Sequence, residues 1–376
     1  MKRLLQHLSE LVSFDTRNPP RDPAGVAALY DYVVQALRPV GYSVVEERDV
    51  LDGCRLLLLE RGASVGLPLV NIHVDTVPFD GDWQTNPFEL ALHDGAAAAP
   101  RRFDAADRSV PNATSRAVGL GACDIKGALA SYLRAAEETT GPGALLLTSD
   151  EEAGDSRCVR LFVELHPMAN NDVMVAEPTM CRAVCVHRGI GTCRGVFRGS
   201  SGHASRAHAL ADSANHQAVQ WAHRALELAA SRPEVRFNLG IINGGVKSNM
   251  IAASCVVRFG VRPPFGVDSA GIVDDLCALA PDPARVEWET GYVAPPLPAP
   301  GRRSDSAERL VASLGLPLGE PVDFFTEAAL FSQAGARAFV FGPGDIAQAH
   351  AAGEWVALSQ LDQARHVYAR LLGGPS

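Results

Sequence analysis

The chain has 376 residues, 47% of them hydrophobic and 20% charged, with a formal net charge of −9. That is enough material for two domains with real cores. The acidic balance argues against a nucleic-acid partner or an anionic membrane surface, and no apolar run approaches the ~18 residues that span a bilayer. Leu4, Leu5, Leu8 and Leu11 stand at the spacing of an amphipathic helix, and the N-terminus lacks a signal-peptide core, so the expected compartment is the cytoplasm. Eight cysteines are scattered without a Cys-x-x-Cys pair, which predicts buried free thiols rather than disulfides or a thiolate zinc site. Asn112-Ala-Thr matches a glycosylation sequon but carries little weight in a cytoplasmic chain.

In chain order, a first helix gives way to a proline-rich turn over residues 11–20. Val26, Leu29, Tyr30, Val33, Val34 and Leu37 mark a second helix, stopped by Gly41. Strands are predicted over 43–47 and 55–60, then one within 67–78 that carries His73. Residues 94–116, rich in Ala, Arg and Asp without a usable period, read as a long surface loop. A glycine-bounded turn over 119–127 opens a helix to about Glu138. A buried strand over 144–149 ends in Asp150-Glu151-Glu152, and one over 172–176 ends in Glu177-Pro178-Thr179. This alternation predicts an α/β domain with a mostly parallel sheet.

After about Arg188 the pattern changes. A strand over 191–198, a loop, a helix over 212–230, strands over 237–243 and 250–262, a helix over 271–279 and a strand over 285–290 give the ferredoxin-like order β-α-β-β-α-β. A proline-rich return follows at 294–300. Residues 304–376 resume the α/β style, with helices near 307–314 and 358–372 and a strand over 338–341. The expected organisation is a catalytic domain over 1–188 and 295–376, interrupted by an inserted domain over 189–294.

Ligand-type residues gather at the predicted strand ends. His73 and Asp75 are two apart and share a face if the strand continues. On these two alone, a metal-binding His oriented by Asp75 and a surface His before a turn stand even. Asp124, Glu151, Glu152, Glu177 and His350 add to them, in positions where open α/β sheets place their sites. Histidine and carboxylate without thiolate suits zinc, and less selectively cobalt or manganese. Two His and three carboxylates can hold a metal pair if one carboxylate bridges.

Taken together, these motifs resemble the M20 metallopeptidase family over nearly the whole chain. His73-Val-Asp75 resembles its His-x-Asp, and the resemblance implies His73 as ligand of one metal with Asp75 behind it. Gly121-Ala-Cys-Asp124-Ile-Lys-Gly127 resembles the turn with the bridging ligand, Asp124, followed in the family by a cis peptide. Asp150-Glu151-Glu152 implies Glu151 as general base and Glu152 on the second metal. Glu177-Pro178-Thr179 implies Glu177 on the first, and His350 resembles the distal His on the second. The implied cofactors are two divalent ions, Zn2+ with Co2+ an alternative.

In the inserted domain, Ser201-Gly202-His203-Ala204 implies His203 as a hydrogen-bond donor to the developing oxyanion, supplied by either the same or a partner subunit. Asn249 resembles a substrate-contacting Asn, and Arg262 the Arg that holds the substrate's α-carboxylate. Read without the family, Arg262 is a strand-end Arg paired to a surface acid. Thr326-Glu327-Ala328 falls where the family has an active-site loop. The resemblance implies a lid and homodimer role for the inserted domain and a small N-acyl amino acid as substrate. It is nearest to the branch that deacetylates N-acetylcitrulline or N-acetylornithine, residues 94–116 being the departure from it. A hydrolase of the family cleaving an N-succinyl diacid or a dipeptide, and a non-catalytic binding protein on the same scaffold, stay open as alternatives.

Overall fold

The Gly143–Thr148 strand, Gly-Ala-Leu-Leu-Leu-Thr, is buried at every position. A parallel strand covered on both faces needs such a continuous apolar run. It lies near the middle of a six-stranded sheet whose order is Ser43–Asp49, Arg55–Arg61, Gly143–Thr148, Leu69–His73, Asp172–Val175, Arg337–Val340. The last four run parallel; the first two join antiparallel at one edge. The expected mostly parallel α/β sheet is therefore present, with two antiparallel strands added at one edge. The computed structural model describes residues 1–63, 67–79, 81–94, 100–104, 106, 114–169 and 171–373; the Asn112 sequon lies outside them.

Helix Lys126–Glu138 shares one hydrophobic core with the sheet, and helices Lys2–Ser13 and Leu358–Leu371 pack against it. It is buried nearly all round, which its small residues Ala128, Ala130, Ala135 and Ala136 allow. The reading of 94–116 as one loop needs correction at both ends. Ala91–Asp94, Arg101–Arg102 and Ser115–Val118 are strands of a second, antiparallel sheet, completed by Trp355–Ala357 from far along the chain. The strands are too short to show a period, and their partner is not local. The middle of this segment falls outside the described residues.

The chain divides into two compact units. One comprises Met1–Cys185, Ser304–Pro321 and Thr326–Ser376; the other comprises Val186–Arg303 and Val322–Phe325. The second unit holds a four-stranded antiparallel sheet in the order Arg236–Gly244, Ser254–Arg262, Ile190–Arg198, Val286–Ala294, with helices Ala214–Ser231 and Ser269–Cys277 packed on it. Trp221 is fully buried there. Its Nε1 donates to Leu276 O at 2.9 Å, and the Phe259 and Trp288 rings stand 5.5 and 5.4 Å away. A Cβ at position 195 would stand 2.2 Å from the Trp288 ring, so glycine is required there.

The expected strand over 250–262 is broken. Met250–Ile251 pairs with Gly202–His203, and the long strand starts at Ser254. Between them, Ala252 O accepts from Ala214 N and Ala253 O from Gly199 N, so the backbone leaves the ladder to bond its neighbours. All eight cysteines are free, seven of them buried.

Candidate metal centre

The parallel strands deliver their chemistry at one end. His73 is the last residue of its strand, Glu151 and Glu152 follow the Gly143–Thr148 strand, and Glu177 follows Asp172–Val175. Asp124 comes from the turn before helix Lys126–Glu138, and the Asp124–Ile125 peptide is cis. His350 lies beyond the Arg337–Val340 strand, with its backbone in the left-handed region at φ +59°, uncommon for a non-glycine residue.

Five of these six side chains, all but Glu151, form two groups that share one member. In the first, His73 Nε2 lies 3.2 Å from Asp124 Oδ1 and 3.7 Å from Glu177 Oε1. In the second, His350 Nε2 lies 3.1 Å from Glu152 Oε1 and 3.5 Å from Asp124 Oδ2. Asp124 thus turns one oxygen to each group. Within each group one donor atom per residue lies within 4.8 Å of the others. Two ligands each ~2.1 Å from a tetrahedral cation stand about 3.4 Å apart. The observed separations scatter around that value, so the donor set fits two divalent ions.

Electrostatics point the same way. Burial pushes the Glu151, Glu152 and Glu177 carboxyls above their usual range, and neighbouring acids add to it. Burial alone would also raise Asp124, but His350 and His73 outweigh it and hold that carboxyl below its ordinary value. Burial pulls the His73 imidazole down; the bonds to Asp124 and Asp75 more than reverse it. Bonds to Asp124 and Glu152 raise His350 to about 10. Crowded buried carboxylates of this kind are relieved by bound cations.

Asp75 does more than stand behind His73. The imidazole Nδ1 is 3.0 Å from the Asp75 backbone carbonyl and 3.6 Å from its carboxylate. The carboxylate instead accepts the backbone N–H groups of Glu151 and Glu152, at 3.3 and 3.0 Å, and Asn18 Nδ2 at 3.2 Å. Asn18 is buried and also donates to Ser149 O. One acid thereby fixes the backbone that presents the Glu pair. Asp150 accepts from Arg157 N and Cys158 N at the start of helix Arg157–Leu165. Sequence reasoning missed Asn18, which stood out only as part of a proline-rich turn. It also missed Glu354, whose carboxylate accepts from Gly121 N, Cys123 N and Asp124 N.

Glu327 is buried and pushed up to about 8 by that burial; its Oε2 accepts from Thr148 Oγ1 at 3.2 Å. Thr326 Oγ1 accepts from Ala328 N, holding the start of helix Ala328–Gln333. In the second unit, His203 and Asn249 are exposed neighbours: Ala204 N donates to Asn249 O. His203 Nδ1 accepts from Ser205 N at 3.2 Å and lies 2.7 Å from Ser205 Oγ. Arg262 is half-buried at the far end of the Ser254–Arg262 strand, and burial pulls its guanidinium below its usual value. A strand of that length spans about 27 Å, and Arg262 stands at the opposite end of it from the Met250–Ile251 segment that pairs with His203.

A mixed α/β sheet whose strand ends bring together two candidate ligand groups joined by one carboxylate has the form of a dinuclear metalloprotein. The chain belongs to peptidase family M20/M25/M40, which it matches over residues 69–373. It is 40% identical to N-acetyl-L-citrulline deacetylase of Xanthomonas campestris pv. campestris, covering 98% of this chain and 97% of that one. It is 29% identical to acetylornithine deacetylase of Myxococcus xanthus, covering 96% and 95%. In fold it is similar to aminopeptidase PepT from Bacillus cereus, with a TM-score of 0.69 at 16% identity over 98% and 97% of the two chains.

Proposed function

We propose that this protein is a metal-dependent cytoplasmic hydrolase that removes the Nα-acetyl group of N-acetyl-L-citrulline or N-acetyl-L-ornithine, giving acetate and the free amino acid. The observation that carries the reading is Asp124, with one oxygen facing each ligand group. The likeness to deacetylases over the full chain narrows the substrate class. His73, Asp124 and Glu177 would hold one ion, and Asp124, Glu152 and His350 the other, zinc being the best match to His and carboxylate donors and cobalt the next. Such a pair, when bound, lowers the pKa of a water and polarises the amide carbonyl. Glu151, its backbone fixed by Asp75, accepts the proton of the attacking water and returns it to the leaving nitrogen. Arg262 pairs with the substrate's α-carboxylate, Asn249 contacts the substrate, and His203 donates from Nε2 to the oxyanion. Thr326 and Glu327 belong to the loop beside the substrate.

The reading includes a homodimer through the second unit, which also serves as a lid. The span between Arg262 and the His203–Asn249 pair supports it, because two copies can contribute one end each. So does the edge strand Arg236–Gly244, where Ile241 and Ile242 are exposed, and helix Ala214–Ser231, where Val219 and Leu226 are exposed.

Steady-state release of the free amino acid, measured by chromatography, tests the substrate. With zinc and then cobalt restored to the purified protein, kcat/KM is expected to be highest for N-acetylcitrulline or N-acetylornithine. Higher kcat/KM for an N-succinyl diacid or a dipeptide would overturn the substrate assignment. A protein that binds no metal and turns over none of them would overturn the hydrolase itself.

A further inference from the structure

The turn over residues 119–124 carries Asp124 outside any strand or helix, so its backbone N–H groups have no ladder to join. One distant residue takes four of them. Glu354 Oε2 accepts from Gly121 N at 2.9 Å, and Oε1 accepts from Cys123 N at 2.8 Å and Asp124 N at 2.9 Å. The backbone carbonyl of Glu354 accepts the fourth, from Gly119 N, at 3.1 Å. The side chain is 3% exposed. Gly121 turns the chain with φ +76°, and Thr76 and Lys126 fill the space a Cβ would need. The amides are therefore packed round this carboxylate, with little room for water to replace it.

Glu354 is itself anchored. Trp355 follows it directly and pairs with Val118 in the second sheet, which fixes the position of the carboxylate relative to the start of the same turn. Four residues earlier in the same segment stands His350. One stretch of chain thus supplies a ligand-type residue to the second group and also holds the backbone of the residue common to both groups.

We propose that Glu354 is a positioning residue for metal binding: its carboxylate sets the Asp124 backbone so that each Asp124 oxygen faces one of the two ligand groups. The inference rests on the metal reading above. A carboxylate is needed rather than an amide. Glutamine at this place keeps one acceptor oxygen and turns an NH2 group on the remaining backbone donors, so at least one bond is lost and a donor faces a donor. Because Asp124 serves both groups, loosening it weakens both ions. Losing a ligand of one group, such as His350, weakens chiefly that group's ion.

The test uses the full chain, stripped of metal and titrated with zinc in competition with a chromophoric chelator. Glu354→Gln, which keeps the side-chain volume, is compared with wild type and His350→Ala. Glu354→Gln is expected to raise the Kd of both zinc ions by about 10- to 100-fold, the usual range for partners behind a metal ligand; His350→Ala raises one chiefly. In the metal-free protein, hydrogen exchange at Gly121, Cys123 and Asp124 is expected to quicken at least ~10-fold in Glu354→Gln. That second readout needs no metal and stands if the variant is unstable, since it is measured against amides elsewhere in the same unit. Two zinc ions bound by Glu354→Gln within twofold of the wild-type Kd values would overturn the proposal and leave the metal reading intact. Unchanged exchange at the three amides would overturn it as well. Wild type binding no zinc would instead remove the reading on which it rests.

Discussion

The two units of this molecule present their chemistry in opposite ways. In the first, His73, Asp124 and Glu177 are buried, and the backbone behind the candidate ligands is held by further carboxylates: Asp75 on the Glu151 and Glu152 amides, Glu354 on the Asp124 turn. In the second, His203 and Asn249 are exposed, and among the described residues the Arg262 guanidinium bonds its neighbour's carbonyl, Val261 O. Holding several anions close costs their mutual repulsion, and a frame of hydrogen bonds behind them offsets part of that cost. Groups that read a substrate can stay open until the substrate, or a second subunit, covers them.

The difference can be broken or sharpened by substitution. Glu151→Gln belongs to the first unit but to no ligand group; it is expected to lower kcat by at least ~100-fold while the protein keeps its metal. Near-normal kcat would remove Glu151 as the base. The open unit gives a test by complementation. His203→Ala and Glu151→Gln are each expected to be nearly inactive alone. If His203 serves the other subunit, mixing the two variants under conditions that exchange subunits restores about a quarter of wild-type turnover, since half the dimers are mixed and each has one complete site. No recovery from mixed dimers would place His203 with its own subunit's site.

The smallest expected effect concerns stability. Burial works against the Glu137 carboxylate, but Arg3, His7 and Arg134 hold its pKa below the ordinary 4.5. A depressed folded-state pKa adds stability above the unfolded value, and that stability is lost as pH falls through the folded one. Glu137→Gln should therefore lower Tm at neutral pH by the equivalent of about 1 kcal/mol or less, with the gap to wild type closing below pH 4.5. A gap that widens in acid would contradict the assignment.

Much of this was legible before folding, for a physical reason. Strands buried on both faces show as apolar runs, and the residues just past them are where such sheets place ligands, so His73, Glu151, Glu152 and Glu177 could be picked out one by one. The inserted β-α-β-β-α-β order followed from its periods and turns. What stayed hidden depends on distant partners. The placing of Gly143–Thr148 between Arg55–Arg61 and Leu69–His73 is set by packing across the sheet. The second sheet joins Ser115–Val118 to Trp355–Ala357, a pairing no local pattern announces. Glu354 looks like any glutamate after a glycine until the 119–124 turn is folded on it, and Asn18 acquires its role only when Asp75 is beside it.

The metal content of the purified, zinc-reconstituted protein, measured per chain by elemental analysis, addresses the shared-ligand arrangement most directly. The account expects two ions in wild type, about one in Glu177→Ala and in His350→Ala, and close to none in Asp124→Ala. Two ions still held by Asp124→Ala, or fewer than one in wild type, would contradict it.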